Sequence, residues 1–184
     1  VAESAGAGVE LERQDGVGIP DRWARLWTPH RMAYVTAGDR ETVDGGNGCP
    51  FCRIPTLEDA EGLVVARGAA VYAVLNLFPY NPGHLMLVPY RHVADYTELE
   101  TTERTELGDF TSHAMTVLRK VSGPHGFNIG INAGDSAGAG IAAHLHQHVV
   151  PRWGGDANFM PVIGATKVLP QLLGETRALL ADAW

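Results

Sequence analysis

Three histidines occupy alternate positions in His144-Leu145-His146-Gln147-His148-Val149-Val150, with Pro151 and Arg152 after them. In an extended strand alternate side chains share a face, so the three imidazoles would form a row with Leu145, Gln147 and Val149 behind it. Same-face neighbours are roughly 6.5–7 Å apart, wide enough for a phosphate to lie across. A helix would pair His144 with His148 and send His146 to the far side. The β-branched Val149-Val150 and the following Pro151 favour the strand. A row of this kind can bind a metal through neutral imidazoles. It can carry a phosphoryl or nucleotidyl group on one ring nitrogen. A purely structural use is the weakest of the three, because each imidazole on a core face would need its own polar partner.

The loop before the histidines, Asn132-Ala133-Gly134-Asp135-Ser136-Ala137-Gly138-Ala139-Gly140, is rich in glycine and alanine. It leaves backbone N–H groups accessible, with Asn132 and Ser136 adding side-chain donors. Such a segment can cradle an anion, and it can equally be a plain turn. If a carbonyl takes one ring proton of His146, the other nitrogen is free to attack phosphorus. An ordinary pKa of about 6.5 leaves that ring mostly neutral near pH 7. His148, on the same face, could bind the phosphate or protonate the departing oxygen, while the loop holds charge developing on the other oxygens. The two cysteines lie in Cys49-Pro50-Phe51-Cys52. This spacing reads as half of a metal site or a redox pair rather than a structural disulfide.

The rest of the chain must position these groups. Its 184 residues suffice for one domain with a real core, and 45% hydrophobic with 19% charged residues is an ordinary globular balance. A net charge of −7 argues against a nucleic-acid partner, since a backbone binder should be basic. No run of apolar residues is long enough to span a membrane. Val1 to Gly8 lacks the basic-then-apolar pattern of a signal peptide, which predicts a cytoplasmic location.

Residues 1–20, rich in glycine, alanine and acids, read as a flexible N-terminal arm, and 21–184 as a single domain. Asp21–Trp27 reads as a short helix ended by Pro29, followed by a Gly-rich loop over Gly38–Gly48. Leu63–Ala66 and Val71–Leu75 read as strands joined by a turn at Arg67-Gly68, and His84–Pro89 as a central strand. Glu103–Val121 is a long helix with an apolar face of Leu107, Phe110, Ala114, Val117, Leu118 and Val121. Its Glu103 and Glu106 suit the positive end of the helix dipole. Phe127–Asn132 is a fourth strand, Trp153–Met160 a loop, and Val168–Ala183 a closing helix with Pro170 in its first turn. Strands in succession with helices set apart predict an α+β domain with a mostly antiparallel five-stranded sheet.

The histidine run resembles the signature of the histidine triad (HIT) family of nucleotide hydrolases and transferases. Leu75-Asn76 through Pro82-Gly83-His84-Leu85-Met86-Leu87-Val88-Pro89 resembles that family's second block, and with Asn128–Gly140 the likeness covers about Cys49 to Trp153. It implies a HIT-like fold in which His146 is the nucleophile, His148 assists at the phosphates and His84 orients the catalytic strand. It implies that Asn76 bonds a ribose, and that Asn132 and the loop, through Ser136, Gly138 and Gly140, contact phosphates. Gln147 departs from the family's usual apolar residue. It faces away from the chemistry and hints at a polar neighbour on that side.

Some family members carry a structural zinc, whose ligands match Cys49, Cys52, His92 and His144. The tail Pro151–Phe159 and the extended arms resemble the family's actinobacterial diadenosine tetraphosphate phosphorylase branch. That resemblance implies cleavage of diadenosine tetraphosphate through a nucleotidyl-His146 intermediate, with inorganic phosphate as acceptor, in a homodimer or a tetramer. The alternatives are a hydrolase using water, on a dinucleoside polyphosphate or a nucleoside phosphoramidate, and a nucleotide-binding protein with little catalysis.

Overall fold

The computed structural model describes residues 48–156 and 171–184. The expected arm over 1–20, the helix at 21–27, the Gly-rich loop except Gly48, and residues 157–170 lie outside them.

A short helix, α1 (Pro50–Arg53), runs into a 3₁₀ turn at Ile54–Thr56. Five strands follow: β1 (Val64–Arg67), β2 (Val71–Leu75), β3 (Leu85–Pro89), β4 (Gly126–Ile131) and β5 (Gln147–Arg152). They form one sheet in the order β1-β2-β3-β5-β4, every pair antiparallel. The long helix α2 (Thr101–Ser122) links β3 to β4, and α3 (Leu173–Ala183) closes the chain.

The period of two along each strand sorts residues between the faces. Ala73, Leu75, Leu85, Leu87 and Val149 pack against Leu107, Ala114, Val117 and Leu118 of α2 and Leu180 of α3. Their alternates Tyr72, Val74, Met86 and Val88 pack on the other face against Cys49 and Phe51. Both faces of β2 and β3 are therefore buried. Each fully buried leucine or valine contributes about 1.5–3 kcal/mol relative to exposure.

Helix α2 forms where its apolar stripe predicts, and its ends are set by side chains. Glu103 accepts from the N–H of Glu100 at 2.8 Å, and Gly123 closes the other end at φ 56°, where a left-handed residue favours glycine. Glu106 has a different task from the expected dipole partner. Its carboxylate accepts the N–H groups of Ala69, Ala70 and Val71, pinning the β1–β2 turn to the helix. A side chain at Gly68 would collide with Glu106, its Cβ falling 2.5 Å from Oε1, which explains a glycine there.

The closing helix starts later than expected. Gln171 and Leu172 are not helical, and Leu173 is the first helical residue, with Leu172 extended at φ −72°, ψ 144°.

Candidate active site

The histidine run is not one continuous strand. Strand β5 begins at Gln147, because its pairing with β3 ends at the Leu87–Gln147 pair and the N–H of Leu145 turns instead to the carbonyl of Val93 at 2.7 Å. The expected row of three imidazoles is thus a pair and a single ring. His146 and His148 stay together, ring centroids 5.0 Å apart. His144 is fully buried and turned towards Cys49, Cys52 and His92. Gln147, on the opposite side, donates to the hydroxyl of Thr111 on α2 at 2.6 Å, which is its expected polar neighbour.

The hydrogen bonds fix the tautomers. The backbone N–H of Tyr80 can only donate, and it points at Nδ1 of His84 from 3.1 Å, with the Asn76 amide nitrogen at 3.4 Å from the same atom. Neutral His84 therefore carries its proton on Nε2 and donates it to Nδ1 of His148 at 2.9 Å. His148 in turn carries its proton on Nε2. That atom is buried and has no partner among the described residues, so a donor stands ready for a ligand oxygen. Nδ1 of His146 donates to the carbonyl of His144 at 2.9 Å, leaving Nε2 with a free lone pair. An unprotonated nitrogen thus lies beside a poised N–H donor, which suits nucleophilic attack on phosphorus with proton delivery to an oxygen.

Burial reinforces this arrangement. Loss of water pushes the His148 pKa down to about 4, and the neighbouring His146 adds to the shift. Burial also lowers His146, against a smaller opposing effect of its bond to the His144 carbonyl. Both rings are neutral near pH 7, as a nucleophile and a neutral donor require. Phe51 lies over His146 with centroids 4.8 Å apart, and the Tyr80 ring lies 4.8 Å from His84 and 5.9 Å from His148.

The four expected metal ligands come together from three places. Their donor atoms lie within 4.8 Å of one another. The Cys49 and Cys52 sulfurs are 3.4 and 3.5 Å from Nδ1 of His144, and Cys52 is 3.3 Å from Nδ1 of His92. Zinc–sulfur and zinc–nitrogen bonds in a tetrahedron imply sulfur–nitrogen edges of about 3.5 Å, so the set fits a closed structural site. Nε2 of His144 donates to the carbonyl of Pro89 at 2.9 Å, which leaves Nδ1 as the ligand nitrogen and supplies its outer partner. Cys49 and Cys52 are not joined in a disulfide.

Asn76 stands at the start of the connector before β3. Its amide oxygen accepts from the N–H of Phe78 at 2.9 Å, and its amide nitrogen faces His84. The loop of Asn132, Ser136, Gly138 and Gly140 contains a 3₁₀ turn, Asp135–Ala137, flanked by Gly134 and Gly138 at φ 80° and 85°. The N–H groups of Ala137 and Gly138 bond back to Gly134 and Asp135, so those two amides are occupied. Among the described residues no hydrogen bond joins these four to the histidines.

Sequence reading missed Phe51, although its place inside the CxxC beside a metal ligand was the available signal. It also missed the backbone of Tyr80. A third omission is Asp156. It accepts from Asn81 at 2.8 Å and pairs with Arg152 at 2.6 Å, while Asn81 also reaches the Pro151 carbonyl at 2.9 Å. The Arg152 guanidinium holds the Asp156 carboxyl well below the usual carboxylate range.

An antiparallel α+β sheet with a neutral imidazole pair on its inner strand and a Cys₂His₂ cluster beside it defines a histidine triad protein. The chain belongs to the HIT domain family, whose profile matches residues 58–155. It is 56% identical over 172 residues to the AP-4-A phosphorylase of Mycobacterium tuberculosis, covering 92% of this chain and 88% of that protein. A histidine triad nucleotide-binding protein from Sulfolobus tokodaii matches in structure with a TM-score of 0.60 and 26% identity, over 73% of this chain and 91% of that one. A zinc-bound histidine triad protein from Mycobacterium smegmatis shares the fold with a TM-score of 0.58 and 24% identity, over 73% and 91% of the two chains.

Proposed function

We propose that this protein is a nucleotidyl-transfer enzyme that cleaves dinucleoside polyphosphates, diadenosine tetraphosphate foremost, by phosphorolysis. The observation that carries the reading is the unprotonated Nε2 of His146 beside the Nε2–H of His148, which has no partner among the described residues. The 56% identity to an AP-4-A phosphorylase, spread over nearly the whole chain, supports the substrate and the acceptor.

The chemistry follows from the two rings. Nε2 of His146 attacks the α-phosphorus, forming a P–N bond as the P–O bond to the rest of the polyphosphate breaks. His148, held in register by His84, gives its Nε2 proton towards the departing oxygen. ATP leaves and AMP stays on His146. A phosphate oxygen then attacks the same phosphorus, giving its proton to Nε2 of His148; the P–N bond breaks, and ADP is released with both rings restored. Two displacements replace one difficult step. In this reading Asn76 bonds the ribose, and Asn132, Ser136, Gly138 and Gly140 lie along the polyphosphate.

Cys49, Cys52, His92 and His144 would hold a structural zinc, which clips α1 to the sheet and takes no part in the displacements. The protein would act as a homodimer. Edge strand β4 supports this, since Asn128, Ile129 and Gly130 along it are exposed and Ile129 is 44% accessible. A tetramer would pair two such dimers. Two cysteines side by side without a disulfide suit the reducing cytoplasm. Among the described residues no helix is long and apolar enough to cross a membrane.

The test is incubation with diadenosine tetraphosphate, with and without phosphate. ATP plus ADP formed only with phosphate is the expected result. AMP plus ATP formed without phosphate would assign the hydrolase reading instead.

A further inference from the structure

Three of the large exposed apolar side chains sit in one short stretch beside the catalytic pair: Leu77 at 60%, Phe78 at 80% and Tyr80 at 51% accessible. Single exposed apolar residues are ordinary, but a cluster at a site is a feature to be explained. This stretch is also held in place. The Phe78 N–H bonds to the Asn76 side chain, the Tyr80 N–H to His84, and the Asn81 side chain to Pro151 and Asp156. Pro79 and Pro82 restrict the backbone further. The phenyl ring of Phe78 is thus presented to solvent from a fixed backbone, two residues from a ring that leans on His84 and His148.

On the dinucleotide reading above, the substrate has two bases, and the His146–His148 pair engages the phosphorus of only one nucleotide. The other nucleotide leaves, and it must still be held until then. Arginines at the neighbouring strand ends are already committed, Arg91 to Glu103 and Arg152 to Asp156. The chain's net charge of −7 gives a polyanion no general attraction. An exposed aromatic face can hold the base itself, because every base offers a π-face and base–aromatic stacking is worth about 1–3 kcal/mol. We propose that Phe78 is the stacking platform for the base of the leaving nucleotide, and so selects dinucleoside over mononucleoside polyphosphates.

The experiment compares kcat/KM for diadenosine tetraphosphate with that for adenosine tetraphosphate, which has the same phosphates and no second nucleoside. In Phe78→Ala the preference for the dinucleotide should fall about 5- to 150-fold, the equivalent of one stacked base. Phe78→Trp should retain it, and Phe78→Leu, apolar but without a ring face, should not. Thermal unfolding should be unmoved in all three, since the side chain is exposed. An unchanged preference in Phe78→Ala, or full retention by Phe78→Leu, overturns the platform while leaving the catalytic reading intact. A wild-type protein that cleaves neither compound overturns the dinucleotide reading and the platform with it.

Discussion

Nε2 of His84 lies 2.9 Å from Nδ1 of His148, and this one contact places the His148 proton on Nε2, facing the site. His84→Ala removes the donor that fixes the His148 tautomer. The expected loss in kcat is about 10²- to 10⁴-fold, the usual scale of general acid–base assistance, with KM little changed. Steady-state kinetics on folded protein decide it; a wild-type kcat in His84→Ala would remove His84 from the mechanism.

His146→Ala separates catalysis from binding. Product formation should collapse, while nucleotide affinity, read by calorimetry, should stay within a few-fold. Surviving turnover would mean that another group attacks phosphorus.

The depressed pKa of His148, about 4, has a sign that can be checked. The folded state keeps the ring neutral below the unfolded value near 6.5. The stability this provides is complete above pH 6.5 and is lost as the pH falls from there towards 4, because the unfolded chain takes up the proton first. His148→Phe, similar in volume and unable to titrate, should therefore flatten the fall in Tm between pH 6.5 and 4. An equally steep fall in the variant would place the acid sensitivity elsewhere.

Metal content gives a further measurement. About one zinc per chain is expected, lost in Cys52→Ala with His146 and His148 unaltered in sequence. Chelation should lower Tm, because the cluster joins α1 to the segments after β3 and before β5. Two metals per chain, or one that disappears in a His146, His148 double variant, would contradict the assignment.

Glu106→Gln tests the clamp on the β1–β2 turn. The three amides of Ala69, Ala70 and Val71 would lose a charged acceptor, at a cost of about 1–3 kcal/mol in urea unfolding. Activity at saturating substrate should be unaffected, since the turn is not part of the site.

Much of this was legible in the chain because periodicity reports burial. The stripe of α2 and the alternation of β2 and β3 name their own partners, and the spacing of Cys49 and Cys52 names half of a donor set, which the family resemblance completes with His92 and His144. What stayed hidden depends on backbone atoms. The start of β5 at Gln147 follows from Leu145 bonding to Val93 rather than to β3, a choice no side-chain pattern records. The His84–His148 relay depends on the N–H of Tyr80, and residue type says nothing about where an amide points. Glu106 suits a helix start by composition, and only the tertiary fold shows that its carboxylate serves a distant turn.

Strand β5 lies between two neighbours; around its start Leu145, Gln147 and Val149 face α2 and its core, while His146 and His148 face the other way. A mutational scan from 145 to 149 should therefore separate by parity. Changes at 145, 147 and 149 would shift melting temperature and expression, and changes at 146 and 148 would silence turnover in a well-folded protein. Evolution, or an engineer, can tune robustness and reactivity on opposite sides of one backbone almost independently.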